Sequence, residues 1–153
     1  MERPRLAPVP ASYVYLRRGD EVMLQLRSGT GYLDGHWVAG AAGHVEPGET
    51  AVAAAVREGA EELGVEVSAD DLTLVTVMHR TDGTDAPIEQ RIDWFWTTTR
   101  WTGHPRICEP TTCADLRWHA LDALPEPVPD YERRVIESLS NAPLPLITVH
   151  GFR

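Results

Sequence analysis

The sequence is poor in the features that assign a chain to several common classes of protein. Its two cysteines, Cys108 and Cys113, lack the CxxC spacing of many metal and redox sites. We therefore expect free thiols and a cytoplasmic protein, because disulfides belong to oxidising compartments. The sequence also contains no block of lysine and arginine residues. We expect no binding to nucleic acid, since clustered basic residues are needed to neutralise a phosphate backbone.

Long apolar runs are also missing from the chain. No segment approaches the ~18 consecutive apolar residues of a transmembrane helix, so we expect no contact with a membrane. The N-terminal stretch MERPRLAPVP lacks the apolar run of a signal peptide. Its prolines predict a flexible arm over residues 1–10. Residues 11–150 contain no internal repeat and are predicted to form a single domain.

The composition is that of an ordinary folded domain with an acidic charge balance. Hydrophobic residues make up 42% of the 153 residues, and the formal net charge is −9. A protein this acidic needs a cation to screen its own charge if its ligand carries phosphates. The charge balance alone therefore favours a metal-dependent site over a purely basic one.

Residue patterns predict an alternation of strands and helices along the chain. A helix is predicted from the N-cap Thr50 through Leu63, with Gly64 as the terminating glycine. A second helix is predicted over residues 129–141. The predicted strands are residues 11–18, 21–27, 37–39, 72–80, 90–100, 115–120 and 146–149. This order predicts an α/β (α+β) sandwich with a central mixed sheet.

Three glutamates crowd one face of the first helix. Glu58 lies three and four positions before Glu61 and Glu62, so the carboxylates are neighbours on the helix surface. Like charges at this spacing destabilise an isolated helix by roughly 0.2–0.5 kcal/mol per pair. A hard divalent cation bound by the carboxylate oxygens would offset that cost.

The glutamates belong to a longer pattern that resembles the Nudix box of hydrolases acting on nucleoside diphosphates linked to another group. The matching positions are Gly43, Glu49, Arg57, Glu58, Glu61, Glu62, Gly64 and Val65. Gly59 departs from the pattern, which has an aliphatic residue there, and we interpret it as a close-packing position. The resemblance extends from about Tyr13 to Leu124 and is strongest to a bacterial, MutT-like nucleotide pyrophosphohydrolase subgroup.

The resemblance implies a Nudix-type α/β/α sandwich and a set of roles for individual residues. It implies Mg²⁺, with Mn²⁺ as a substitute, bound by Glu58, Glu61, Glu62 and the backbone carbonyl of Ala42. A bridge between Arg57 and Glu49 would tie the loop to the helix and orient the carboxylates. The general base is left open between Glu58 and a glutamate on a later loop, for which Glu89 is the first candidate and Glu109 the second.

Substrate-contacting residues are expected outside the box. The candidates are Arg27, Tyr32, His36, His79, Arg80 and Trp94. An aromatic side chain such as Trp94 can stack on a nucleobase, although packing on a helix or on a partner subunit is the alternative. For His36, His79 and Arg80, the alternative is an ordinary surface or loop position.

We expect a Mg²⁺-dependent hydrolase that cleaves a nucleoside triphosphate or modified nucleotide to the monophosphate and pyrophosphate. One alternative is a pyrophosphatase acting on ADP-ribose or another nucleoside diphosphate sugar. A second alternative, from a different class, is a Nudix-fold module that binds a nucleotide without turnover. A homodimer is a further possibility that the family suggests.

Overall fold

The computed structural model describes residues 2–153, which contain eight strands and two α-helices. The strands are β1 (Val9–Arg18), β2 (Glu21–Arg27), β3 (Trp37–Ala39), β4 (Ala41–His44), β5 (Thr73–Arg80), β6 (Arg91–Thr98), β7 (Cys113–Ala120) and β8 (Ile147–His150). The helices are α1 (Ala51–Leu63) and α2 (Asp130–Ser138). Short 3-10 turns occur at Ala69–Asp71 and Pro87–Glu89.

The strands form one mixed sheet in the order β3-β2-β1-β6-β5-β8, with β4 paired to β1 and β7 paired to β2. The β1–β6 and β5–β8 pairs are parallel, and the other pairs are antiparallel. The mixed sheet predicted from the sequence is therefore confirmed.

The two faces of the sheet carry separate cores because side chains alternate along each strand. Tyr13 and Tyr15 of β1 pack with α2, whose buried residues include Val135 and Ile136. Val14 and Leu16 of the same strand pack with α1 through its apolar face. The sheet is thus enclosed between α1 and α2, as the predicted sandwich requires.

Several element boundaries shift by one to three residues from the sequence-based prediction, and the differences at β1 and β4 bear on the site. Strand β1 begins at Val9 rather than at residue 11, because Val9 and Pro10 align with Arg91 and Ile92 at the start of β6. The small-residue stretch Ala41–His44 forms strand β4, although alanine and glycine are weak strand formers. Pairing with β1 outweighs that local preference.

The ends of α1 follow the predicted capping. The Thr50 hydroxyl accepts a hydrogen bond from the Ala53 N–H at 3.0 Å. Gly64 adopts a left-handed φ of 65°, and its N–H donates to the carbonyl of Ala60. A residue with a Cβ is strained in that conformation, so glycine ends the helix here.

The structure bears on two expectations from the composition, which are free cysteines and the lack of a membrane-spanning helix. Both Cys108 and Cys113 are free, and Cys113 is buried. Within residues 2–153, no helix has the length and apolar character needed to cross a membrane.

Gly59 does not occupy a close-packing position, so that interpretation of its sequence context is wrong. A Cβ built on Gly59 would lie 3.8 Å from Val67 Cγ2 and 3.9 Å from Val65 Cγ2. Both distances are ordinary van der Waals contacts. The helix could therefore carry an alanine here without moving off the sheet.

We predict that Gly59→Ala stabilises the protein by roughly 0.5–1 kcal/mol, because glycine costs that much in a helix interior relative to alanine. Urea denaturation of the wild type and the variant measures the change. Ala60→Gly, at an exposed position of the same helix, is the matched control and should shift the midpoint in the opposite direction. A loss of stability in Gly59→Ala would contradict the packing described above.

Candidate active site

Arg57 joins the loop before α1 to the helix itself. Its Nε and Nη2 donate to the two carboxylate oxygens of Glu49 at 2.8 and 2.9 Å. Nη2 also donates to the carbonyl of His44 at 3.0 Å. This two-pronged geometry matches the planar guanidinium to the carboxylate and fixes the direction of both side chains. The contact implied by the family resemblance is therefore present.

The same guanidinium also contacts two of the helix glutamates. Arg57 Nη1 donates to Glu58 Oε1 at 2.7 Å and to Glu61 Oε2 at 3.2 Å. With Glu46 Oε1 at 3.8 Å, one positive charge faces four carboxylates, and the repulsion among these carboxylates is partly offset. The hydrogen bonds from Arg57, with one from the Glu46 N–H, lower the pKa of Glu49 to about 2.

Glu58 is held between Arg57 and the backbone of β4. It is only 8% exposed, and burial raises the pKa of its carboxyl group. Its carboxylate lies against Gly43, where a Cβ would overlap the carboxylate oxygens. The glycine at this position of the pattern thus has a local cause, because a Cβ at residue 43 would occupy the space of the Glu58 carboxylate.

Glu62 faces β4 from the adjacent side of the helix. Its Oε2 accepts a hydrogen bond from the Ala42 N–H at 2.8 Å, and Gln25 Nε2 lies 3.5 Å away. Burial raises the pKa of Glu62 to about 8, and the carboxylates of Glu58 and Glu109 add to the rise. The N–H and C=O of a strand residue point to the same side, so the Ala42 carbonyl lies on the strand edge that faces Glu62.

The chemistry of this donor set fits a hard divalent cation. Its side-chain donors are carboxylate oxygens, and burial disfavours the charged form of Glu58 and Glu62, so a bound cation would stabilise both. In residues 2–153, however, no three acidic, histidine or cysteine side chains converge as a ready metal site. Glu58 and Glu61 are turned toward Arg57, and Glu62 is turned toward Ala42.

A cleft of about 410 Å³ opens beside β4, on the α2 side of the sheet. Four of the site residues predicted from the sequence line it, namely Arg27, Tyr32, Ala42 and Glu89. Ala42, Gly43 and His44 of β4 form its boundary with the glutamate-bearing helix. The cleft is therefore continuous with the strand that contacts Glu58 and Glu62.

Two of the predicted substrate residues line a neighbouring cavity instead. His36 and Arg80 both border that cavity. Arg80 is 3% exposed, donates from Nε to Asp93 Oδ2 at 2.8 Å and lies 3.7 Å from the ring centre of Tyr131. These contacts give Arg80 a buried structural position rather than a free guanidinium on the cleft wall.

The structure does not bring His79 or Trp94 to the cleft. Trp94 packs in the core between the sheet and α1, which is the opposite face of β6. The His79 ring packs edge-on against Phe152, with ring centres 4.6 Å apart. The packing alternative for Trp94 is the one that the fold adopts, because even-numbered residues of β6 face α1.

Several cleft residues were not identified from the sequence. They are Tyr13, His44, Arg91, Tyr131 and Glu132. Glu132 is 1% exposed, and its Oε1 accepts hydrogen bonds from the Tyr15 hydroxyl and the Ala39 N–H at 2.7 and 2.8 Å. Burial raises the pKa of this carboxyl group to about 7. Its spacing to Val135 and Ile136 places it on the apolar side of α2, and that signal could have found it.

The two loop glutamates proposed as general bases lie on different sides of the site. Glu89 lines the cleft within the Pro87–Glu89 turn. Glu109 is close enough to Glu58 and Glu62 to raise the pKa of both. Glu89 therefore lies on the cleft wall, and Glu109 lies near the helix glutamates.

Comparison with known proteins agrees with this geometry. The family model of the NUDIX domain matches residues 7–139. No curated protein matches the chain. The chain is similar to the MutT NUDIX hydrolase from Burkholderia pseudomallei, with 27% identity, a TM-score of 0.76 and coverage of 86% of this chain and 97% of that chain.

Two further solved structures share the fold. The mMutator MutT protein from Bacillus halodurans has 19% identity and a TM-score of 0.71, with coverage of 93% of this chain and 89% of that chain. The ORF135 protein of E. coli has 22% identity and a TM-score of 0.67, with coverage of 88% and 90%. The chain belongs to the NUDIX domain family. It is a MutT-like Nudix hydrolase, an enzyme of a family that hydrolyses small-molecule nucleotides and generally requires a divalent cation.

We predict that Gly43→Ala lowers kcat by about 10²-fold, because the new Cβ displaces the Glu58 carboxylate, and misplacements near 1 Å cost that much in rate. Steady-state hydrolysis measures the change. Gly59→Ala is the matched control, since it adds the same methyl group to a position with room for it. Equal activity of the two variants would contradict the role of Gly43.

The Glu49–Arg57 pair predicts a pH dependence of stability. The folded-state pKa of Glu49 is lowered from 4.5 to about 2, so its contribution is present above pH 4.5 and is lost as the pH falls toward 2. In Glu49→Gln, the urea midpoint should therefore fall less steeply below pH 4.5 than in the wild type. Glu2→Gln, on the exposed N-terminal arm, should retain the wild-type slope, and a wild-type slope in Glu49→Gln would contradict the prediction.

Proposed function

We propose that the enzyme is a Mg²⁺-dependent pyrophosphohydrolase that converts a nucleoside triphosphate, normal or modified, to the monophosphate and pyrophosphate. The observation that carries this proposal is the position of Glu58 and Glu61 against Arg57 and of Glu62 against Ala42, beside the cleft that Ala42 lines. Carboxylates of this kind hold a metal that neutralises phosphate charge. The cleft volume is within the range of small-molecule sites.

In this proposal, Glu58, Glu61, Glu62 and the Ala42 carbonyl hold the cation. The cation, when bound, supplies Lewis-acid stabilisation of the phosphoanhydride oxygens, and Mn²⁺ can substitute for Mg²⁺. Arg57 and Glu49 keep the helix carboxylates oriented through the hydrogen bonds described above.

The remaining roles belong to residues of the cleft. Arg27 and Tyr32 border the space that receives the nucleotide, and Arg27 Nε is fixed by a hydrogen bond to the Tyr32 carbonyl at 2.9 Å. We assign proton acceptance from the attacking water to Glu89, since it is a carboxylate on the cleft wall. Glu58 and Glu109 are the alternatives for this step.

A substrate panel tests the proposal. The protein is incubated with Mg²⁺ and ribo-, deoxy- and oxidised nucleoside triphosphates, together with ADP-ribose and other nucleotide sugars, and the products are separated. We expect a monophosphate and pyrophosphate from a triphosphate. Glu62→Gln should lower kcat by ~10²-fold or more, because it removes charge that stabilises the transition state through the metal.

Three other outcomes would contradict parts of the proposal. Preferential cleavage of a nucleotide sugar would replace the proposed substrate class. Binding without turnover across the panel would point to a nucleotide-binding module. Wild-type turnover by Glu62→Gln would contradict the metal assignment while leaving the substrate class unaffected.

A further inference from the structure

The cleft side of β5 and β6 carries a buried arginine, a mostly buried arginine and a buried aspartate. Arg80 and Arg91 align across the two strands, and Asp93 lies two residues further along β6. Asp93 is fully buried, and the Arg80 and Arg91 side chains are 4% and 11% exposed. These three side chains therefore contain one more positive charge than negative charge in a region with little access to water.

Asp93 forms a short hydrogen bond with only one of the two arginines. Arg80 Nε donates to Asp93 Oδ2 at 2.8 Å, which is a short charge-assisted hydrogen bond. Arg91 Nε lies 3.5 Å from Asp93 Oδ1, and neither atom has a hydrogen-bond partner. The charge of Arg91 is therefore only weakly balanced.

The other contacts of Arg91 are equally long. Arg91 Nη2 lies 3.4 Å from the Tyr13 hydroxyl, and Nη1 lies 3.5 Å from His44 Nε2. A guanidinium has five N–H donors, and none of those on Arg91 makes a short hydrogen bond. Burying a charge in this state is costly unless a partner completes its hydrogen bonding.

Arg91 is also directed toward the substrate site. Its side chain lines the same cleft as Ala42 and His44 of β4. Ala42 in turn donates its N–H to Glu62, so the cleft that Arg91 lines is separated from the helix glutamates only by β4. An anion in the cleft would reach a guanidinium with unused donors.

We propose that Arg91 binds a phosphoryl oxygen of the nucleotide, on the phosphate that stays with the nucleoside after cleavage. This inference rests on the proposed function for the identity of the ligand as a nucleotide. A phosphate fits better than a neutral base edge, because it supplies both the missing negative charge and acceptors for a two-pronged guanidinium.

Binding of the reaction product tests the proposal without requiring turnover or metal. Isothermal titration is performed in EDTA with AMP, GMP, CMP and UMP, each compared with its own nucleoside. We expect at least one monophosphate to bind the wild type more tightly than its nucleoside. Arg91→Gln should weaken that monophosphate by about 10-fold or more, the effect of losing a hydrogen bond to a charged group, and leave the nucleoside unchanged.

Two further variants separate the role of Arg91 from charge and folding effects. Arg91→Lys keeps the positive charge but lacks the planar guanidinium. It should bind the monophosphate more tightly than Arg91→Gln and less tightly than the wild type. Arg117→Gln removes an arginine on β7 whose side chain is 67% exposed, and it should bind like the wild type. Thermal unfolding of each variant confirms that the folded protein is titrated.

The outcomes are distinct from those of the substrate panel. Equal weakening of monophosphate and nucleoside by Arg91→Gln would indicate a base contact and overturn the proposal. A wild type that prefers no monophosphate over its nucleoside would also overturn it, even if Arg91→Gln failed to fold. Hydrolysis of a different substrate class would change the proposed function and leave a monophosphate-specific effect of Arg91 intact.

Discussion

The hydrogen bonds of the Arg57 guanidinium are the interactions on which the arrangement of the glutamates of α1 depends. The guanidinium bonds to Glu49 in the loop, to Glu58 and Glu61 on the helix, and to the carbonyl of His44 on β4. Carboxylates this close repel one another strongly when little water separates them. A single planar cation both offsets that repulsion and sets the orientation of the loop, the strand and the helix relative to each other.

The features that could be read from the sequence are those with local causes. Helix α1 was predictable because Thr50 and Gly64 cap it through bonds within a few residues. Strand β4 was not, because Ala41–His44 has no intrinsic strand preference and is extended only through its pairing with β1. The burial of Glu132 likewise depends on where α2 docks, even though its position on the apolar side was visible.

The residues that line the cleft were harder to predict than the carboxylates of α1 for a related reason. Side-chain alternation along β6 places Trp94 and Phe95 on opposite faces of the sheet. The sequence of β6 does not indicate, however, which of these faces α1 covers and which α2 covers. Only the assembled fold shows that α1 covers the face of Trp94 and that the cleft lies on the other. Arg91 lies on the same face of β6 as Phe95. No motif indicated it, and it was recognised from its long contacts to Asp93, Tyr13 and His44.

The parallel pairing of β1 with β6 has a consequence for the order in which the molecule assembles. The bond between Trp96 and Ser12 joins residues 84 positions apart, whereas Arg57 and Glu49 are 8 positions apart. Distant pairings form slowly because a long loop must close first. The carboxylate helix and its bridge can therefore form early in folding, before the strands that make the cleft floor meet. In a nascent chain, the glutamates of α1 would therefore be oriented before the cleft beside them exists.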